Sequence, residues 1–230
     1  MDGSFFAGAY WGSRKETLDM VSKRTYKFIK RISSFSTEFS EWYMLGMNRK
    51  EALKNKITMT EEFIKELYLM DSKNTDMADQ GQSTAFFSLG LWNGKRDEEA
   101  SNLNFTLGGE FKTKNISNCC VLKLPFEGSF RDWLIKFENA KQLLELFIDE
   151  WNPDFARFSS YNLSKRLSNG KKLGWITYWN HESEAIMNNV EIISENVNSG
   201  QLFYLKLGGE FSYTEDSINK MIRFEEELRP

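Results

Sequence analysis

Phe5 to Trp11, FFAGAYW, is apolar on both faces of an extended chain, which predicts a central strand. The period then changes. Leu18, Val21, Thr25, Phe28, Ile32 and Phe35 recur every three or four residues and predict an amphipathic helix, with Ser13 as N-cap and Glu16 as its capping-box partner. Thr37 to Leu45 predicts a short helix. Thr58 and Glu61 form a second capping pair, ahead of a helix whose Phe63, Ile64, Leu67 and Met70 share a face. Asp71 to Ser83 is polar and without period, so it predicts a surface loop. Ala85 to Trp92 predicts a strand with Phe87, Leu89 and Leu91 on one face and Trp92 out of phase with them. Asn93-Gly94 is a hairpin turn signal, and the strand after it carries Leu103, Phe105 and Leu107 on one face.

The second half runs in similar order. Cys119 to Phe126 predicts a strand. Ser129 to Trp151 predicts one long helix with Phe130, Trp133, Leu134, Phe137, Leu144, Phe147, Ile148 and Trp151 on a broad apolar face. Trp151 to Phe158 reads as its end, with Pro153 as the stop. Tyr161 to Lys172 reads as a polar loop. Gly174 to Trp179 predicts a strand followed by Asn180, as Trp92 is followed by Asn93. A strand QLFYLKL precedes a terminal helix capped by Thr214, with Glu215 and Asp216 in its first turn.

One string marks the two halves as copies. LGGEF occurs at Leu107 to Phe111 and again at Leu207 to Phe211, each time closing a strand. The expected fold is therefore α+β: two β-α-β-β units, residues 1–115 and 116–230, the second with a C-terminal helix. They would form one compact domain with a mixed, mostly antiparallel sheet backed by two long helices. Joining the units covers an apolar face and pairs free edges on each.

Composition narrows the function. The chain has 230 residues, 40% hydrophobic, enough for a substantial core. A net charge of −3 lacks the basic surplus of a nucleic-acid binder. The N-terminal MDGSFFAGAYWGSRKE has no basic start or long apolar run, so it does not read as a signal peptide, and no stretch reaches membrane-span length. Adjacent Cys119 and Cys120 point to opposite faces of a strand and suit a reducing compartment. The expectation is a cytoplasmic protein.

Candidate chemistry is sparse. The single histidine, His181, has no nucleophile motif beside it, and neither HExxH nor paired CxxC occurs. The glycines of LGGEF follow a strand rather than precede a helix, so they read as a tight turn and not as a phosphate cradle. Glu110 and Glu210 are equivalent carboxylates and form an acid–base pair only if the halves face each other across a cleft. No catalytic residues, metal ligands or cofactor site are assigned. The acidic clusters at Asp97 to Glu99, His181 to Glu184 and Phe224 to Leu228 are solvated faces or patches that oppose a basic partner. Outward Trp92 is either covered by the other half of the chain or a binding anchor.

AYWGSR near the N-terminus, SLGLWNG in the middle, then WNPDFA and GWITYW, resemble in order the immunity protein 52 family of bacterial polymorphic toxin systems, over about Phe5 to Phe211. The resemblance implies a non-enzymatic antitoxin. It would bind a cognate toxin, commonly a restriction-endonuclease-like nuclease delivered by contact-dependent or type VI secretion, and block or distort its active site. It implies no direct nucleic-acid contact and no membrane. It supplies no catalytic residues. The toxin-binding candidates are the hairpin end with Trp92, Asp97, Glu98 and Glu99, and the matching end with Trp179, His181 and Glu182. Two other readings stand beside it: a small-molecule-binding or enzymatic domain using the cleft with Glu110 and Glu210, and a scaffold module with a large symmetric interface.

Overall fold

In a computed structural model, the chain is described over residues 4–72, 87–109, 118–167, 173–182, 186, 191–205 and 214–227. It is α+β. Nine strands form a sheet in the order β2-β3-β4-β5-β1-β6-β7-β9-β8. They are β1 (Phe5–Trp11), β2 (Tyr43–Met44), β3 (Phe87–Trp92), β4 (Asn102–Leu107), β5 (Asn118–Lys123), β6 (Phe155–Ser160), β7 (Ile176–Trp179), β8 (Ile192–Val197) and β9 (Gly200–Leu205). The pairs β2–β3, β3–β4, β6–β7, β7–β9 and β8–β9 are antiparallel. FFAGAYW takes the middle position, which explains why it is apolar on both sides. The helices are α1 (Leu18–Phe35), α2 (Arg49–Ala52), α3 (Glu61–Ser72), α4 (Ser129–Leu134), α5 (Phe137–Trp151), α6 (Tyr161–Arg166) and α7 (Glu215–Glu227). The fold divides into two compact units, residues 10–122 in one, the N-terminal residues through Ala9 with residues 123–230 in the other.

In the first of these units α1 buries Val21, Thr25, Phe28 and Ile32, the middle of its expected stripe. Phe28 meets Phe105 of β4 edge-on at 6.2 Å. The Thr25 hydroxyl lies 2.7 Å from the Tyr68 hydroxyl of α3, so the polar atoms in this contact satisfy each other. The cap differs from expectation. Thr17, not Ser13, accepts from Met20 N–H at 3.3 Å. Ahead of it the chain is tied elsewhere, with Arg14 N–H donating to the Gly109 carbonyl at 3.1 Å. Glu16 is buried and ion-paired with Arg24 instead of capping. Likewise Thr60, not Thr58, caps α3 by accepting from Phe63 N–H at 3.2 Å.

The helix expected over Thr37 to Leu45 is a single 3-10 turn, Thr37–Phe39, followed by β2. Adjacent Trp42 and Tyr43 explain this. An extended chain sends neighbours to opposite faces. Trp42 stacks on Phe39 at 5.8 Å, while Tyr43 lies 6.0 Å from Trp92.

In the other unit the expected long helix is two. Lys136 is extended, φ −65° and ψ 139°, and the Trp133 carbonyl at the break accepts from Lys136 N–H at 3.2 Å and from Asn139 Nδ2 at 2.7 Å. α5 ends at Asn152 in the left-handed region, φ 40°. The chain then enters β6, where a helix tail was expected; Phe155, Ala156 and Phe158 are buried on both faces. Ser160 caps α6 inside the expected loop. Thr214 caps α7, accepting from Ser217 N–H at 3.3 Å. The first LGGEF begins at the end of β4, with Gly108 at φ +75°, where a Cβ would lie 2.8 Å from the Phe87 ring. Glu110, Phe111 and the second copy lie outside the described residues.

Candidate functional site

The β3–β4 hairpin end is built by Asn93 and Gly94. Buried Asn93 accepts from Ser101 N–H through Oδ1 at 2.9 Å and closes the loop with Asn93 N–H to Ser101 O at 3.1 Å. Gly94 has φ +76°, and a Cβ there would come 2.6 Å from Tyr43 Cε2. Beyond it Asp97–Glu99 forms one 3-10 turn with all three side chains exposed. Trp92 is 8% exposed, its ring against Tyr43 and Ala52. It lies out of phase with Leu89 and Leu91, and β2 and α2 of the same unit, not the other half of the chain, cover it. The hairpin end thus offers carboxylates without an aromatic.

Two ion pairs brace this end. Lys95 Nζ lies 3.0 Å from Glu38 Oε2, and this hydrogen bond raises the Lys95 pKa. Glu41 accepts from Lys56 and from the Tyr43 hydroxyl, which together hold its carboxyl below the usual range. The same hydrogen bond to Glu41 pushes Tyr43 up.

The matching end is built differently. Trp179 is half-buried, His181 stacks flat on it at 5.3 Å, and Phe203 meets it edge-on at 5.0 Å. Asn180 N–H donates to the Asp154 carbonyl at 3.0 Å, and Asn180 Oδ1 accepts from Ser199 Oγ at 2.6 Å. His181 and Glu182 are exposed. This end does present an aromatic beside a carboxylate.

Elsewhere in the same unit, Lys141 Nζ and the Tyr204 hydroxyl, the latter at 2.8 Å, both donate to Glu195. Burial would raise the Glu195 carboxyl, but these donors outweigh it and hold it low. Burial, then Glu195, pushes Tyr204 from its ordinary 10.0 up to about 12. The folded protein therefore keeps a proton that the unfolded chain releases, and stability falls as pH rises from about 10 towards 12. Tyr204→Phe should flatten that limb in urea titrations across this range. Equal slopes in the two proteins would show that Tyr204 does not carry it.

Among the described residues no cluster of three or more His, Cys, Asp or Glu is placed to hold a metal. Cys119 is half-buried and Cys120 buried, both as free thiols; burial raises the Cys119 pKa. No described helix is long and apolar enough to cross a membrane.

An α+β sheet protein with charged, exposed loop ends is the class these features define. Within it, the chain belongs to the Immunity protein 52 family, whose model matches residues 3–188. The fold is similar to that of the Pseudomonas aeruginosa T6SS protein PA0821, with a TM-score of 0.54 at 10% identity, over 99% of this chain and 76% of that one. No curated protein matches.

Proposed function

We propose that the protein is a cytoplasmic antitoxin that binds a cognate toxin and blocks or distorts its active site. Family membership over residues 3–188 carries this reading. The toxin is a nuclease of the restriction-endonuclease-like class, and its delivery is by type VI secretion, in keeping with the T6SS protein of similar fold. Neutralisation is by binding, without turnover, cofactor or contact with nucleic acid. The exposed carboxylates Asp97 to Glu99 and the Trp179, His181 and Glu182 cluster suit a basic partner surface.

Co-expression with the product of the neighbouring gene, the expected toxin, tests the reading. Growth should be restored, and the two proteins should co-purify with about 1,600 Å² of total interface. Continued growth arrest, with the toxin shown to be active and the antitoxin present, would overturn it.

A further inference from the structure

β3 and β4 turn one face inward and the other out. Leu89, Leu91, Leu103 and Phe105 are buried on the inner face, against α1 and α3. On the outer face Ser88 and Asn104 are exposed, and Gly90 and Thr106 are half-buried. None of these is charged, in a chain that is 27% charged. Gly90 pairs with Asn104, and a Cβ on it would come 3.4 Å from Leu45 Cδ1. Leu45 therefore borders this face, yet it is 58% exposed. Met47, two residues on, is 95% exposed, and Leu53 is 38% exposed. Gly46 fixes the segment: a Cβ there would lie 2.7 Å from Ala52 N, so the backbone backs directly onto α2.

Single exposed apolar side chains are ordinary; three in nine residues, beside an uncharged sheet face, make a patch. Charge depletion with apolar anchors is the composition of an interface centre. The rim carries both signs. Arg49 and Lys50 of α2 are exposed, with exposed Glu51 beside them. Ala100, which follows the Asp97–Glu99 turn, packs on the Tyr43, Ala52 and Trp92 cluster, so the acidic turn flanks the same corner.

We propose that Leu45, Met47 and Leu53 anchor the toxin on this corner, and that the acidic turn and α2 orient it. The partner surface is apolar at its centre, basic where it meets Asp97 to Glu99, and acidic where it meets Arg49 and Lys50. An anionic bilayer would be drawn to α2 but repelled by the turn. The proposal rests on the antitoxin reading and names the surface that performs it.

Two variants test it against the product of the neighbouring gene, the expected toxin, in a form disabled for catalysis. Leu45→Ser with Met47→Glu should weaken binding about 100-fold, chiefly through faster dissociation. Asp97→Lys, Glu98→Lys and Glu99→Lys together should slow association about tenfold and reduce its salt dependence. Both sets of positions are exposed, so both proteins should melt close to the parent; if the apolar double variant unfolds, the charge variant alone decides. Binding within about twofold of the parent in the folded variants would overturn this surface while leaving the antitoxin reading intact. A parent dimer that the double variant splits, with toxin binding kept, would assign the corner to a second copy. Parent flotation with phosphatidylserine vesicles, lost in the double variant while toxin binding is kept, would assign it to a membrane. A parent that neither binds nor rescues would overturn the antitoxin reading itself, and this proposal with it.

Discussion

Asn118→Ala should cost about 3 kcal/mol, a large share of the roughly 5–15 kcal/mol available to a folded domain. Asn118 is fully buried, and its amide joins three separate segments. Its Oδ1 accepts from Gly109 N–H at 2.9 Å. Its Nδ2 donates to the Gly12 carbonyl at 2.6 Å and to the Gly109 carbonyl at 3.1 Å. Truncation leaves the buried Gly109 N–H without this acceptor, where an orphaned donor costs about 1–3 kcal/mol, and removes a donor from two carbonyls. Arg14 N–H still serves the Gly109 carbonyl, which limits the loss. Asn118→Asp should not rescue, because it keeps the acceptor but sets a carboxylate oxygen against two carbonyls. Urea denaturation measures this as a lower midpoint at unchanged slope. A midpoint equal to the parent's would mean that water or backbone replaces the amide at little cost.

Gly200→Ala should cost about 2–3 kcal/mol, the upper range for an overpacked site. A Cβ there would lie 2.1 Å from the Trp179 carbonyl and 2.8 Å from both Asn180 Cα and the Tyr178 ring. Two of these obstacles are backbone and have no rotamer in which to yield. β9 can accept the methyl group only by moving away from β7, and Gln201 is paired with Trp179. The exposed end carrying His181 should therefore shift with the strand. His181 is the sole histidine, and its ring stacks on Trp179, so its proton resonances report the stack without ambiguity. Stability loss without movement of those resonances would separate the strand from the site. No change in either would show that the sheet absorbs the methyl freely.

The parts of this fold legible in the sequence are those where one physical pattern dominates. FFAGAYW could only be interior. The Asn93-Gly94 turn between two alternating runs could only be a hairpin. Three other strands lack such a pattern. β2 is two residues long and pairs through Tyr43 and Met44. β6 is buried on both faces and begins just after Pro153, so it reads as the tail of a helix. β8 is half-exposed and only weakly alternating. The candidate site shows the same division. The phase of Trp92 placed it opposite Leu89 and Leu91, but its cover comes from Tyr43 and Ala52, in segments whose conformation periodicity did not reveal. Leu45 closes the stretch that reads as a short helix and Met47 lies just beyond it, and periodicity does not separate an exposed apolar residue there from a buried one.

The central position of β1 also sets an order of assembly. Its first residue and the one before it are tied to residues far along the chain: Leu124 N–H donates to the Phe5 carbonyl at 2.9 Å, and Tyr161 N–H to the Ser4 carbonyl at 3.0 Å. A ribosome adding about 5–20 residues per second makes this apolar strand first and its partners many seconds later. The unit of residues 10–122 is one continuous stretch, whereas the other joins residues 1–9 to residues 123–230. Closing that long loop costs entropy before any hydrogen bond of Ser4 or Phe5 is returned. A chain built this way can close that unit only after Tyr161 has left the ribosome, however early its first strand was made.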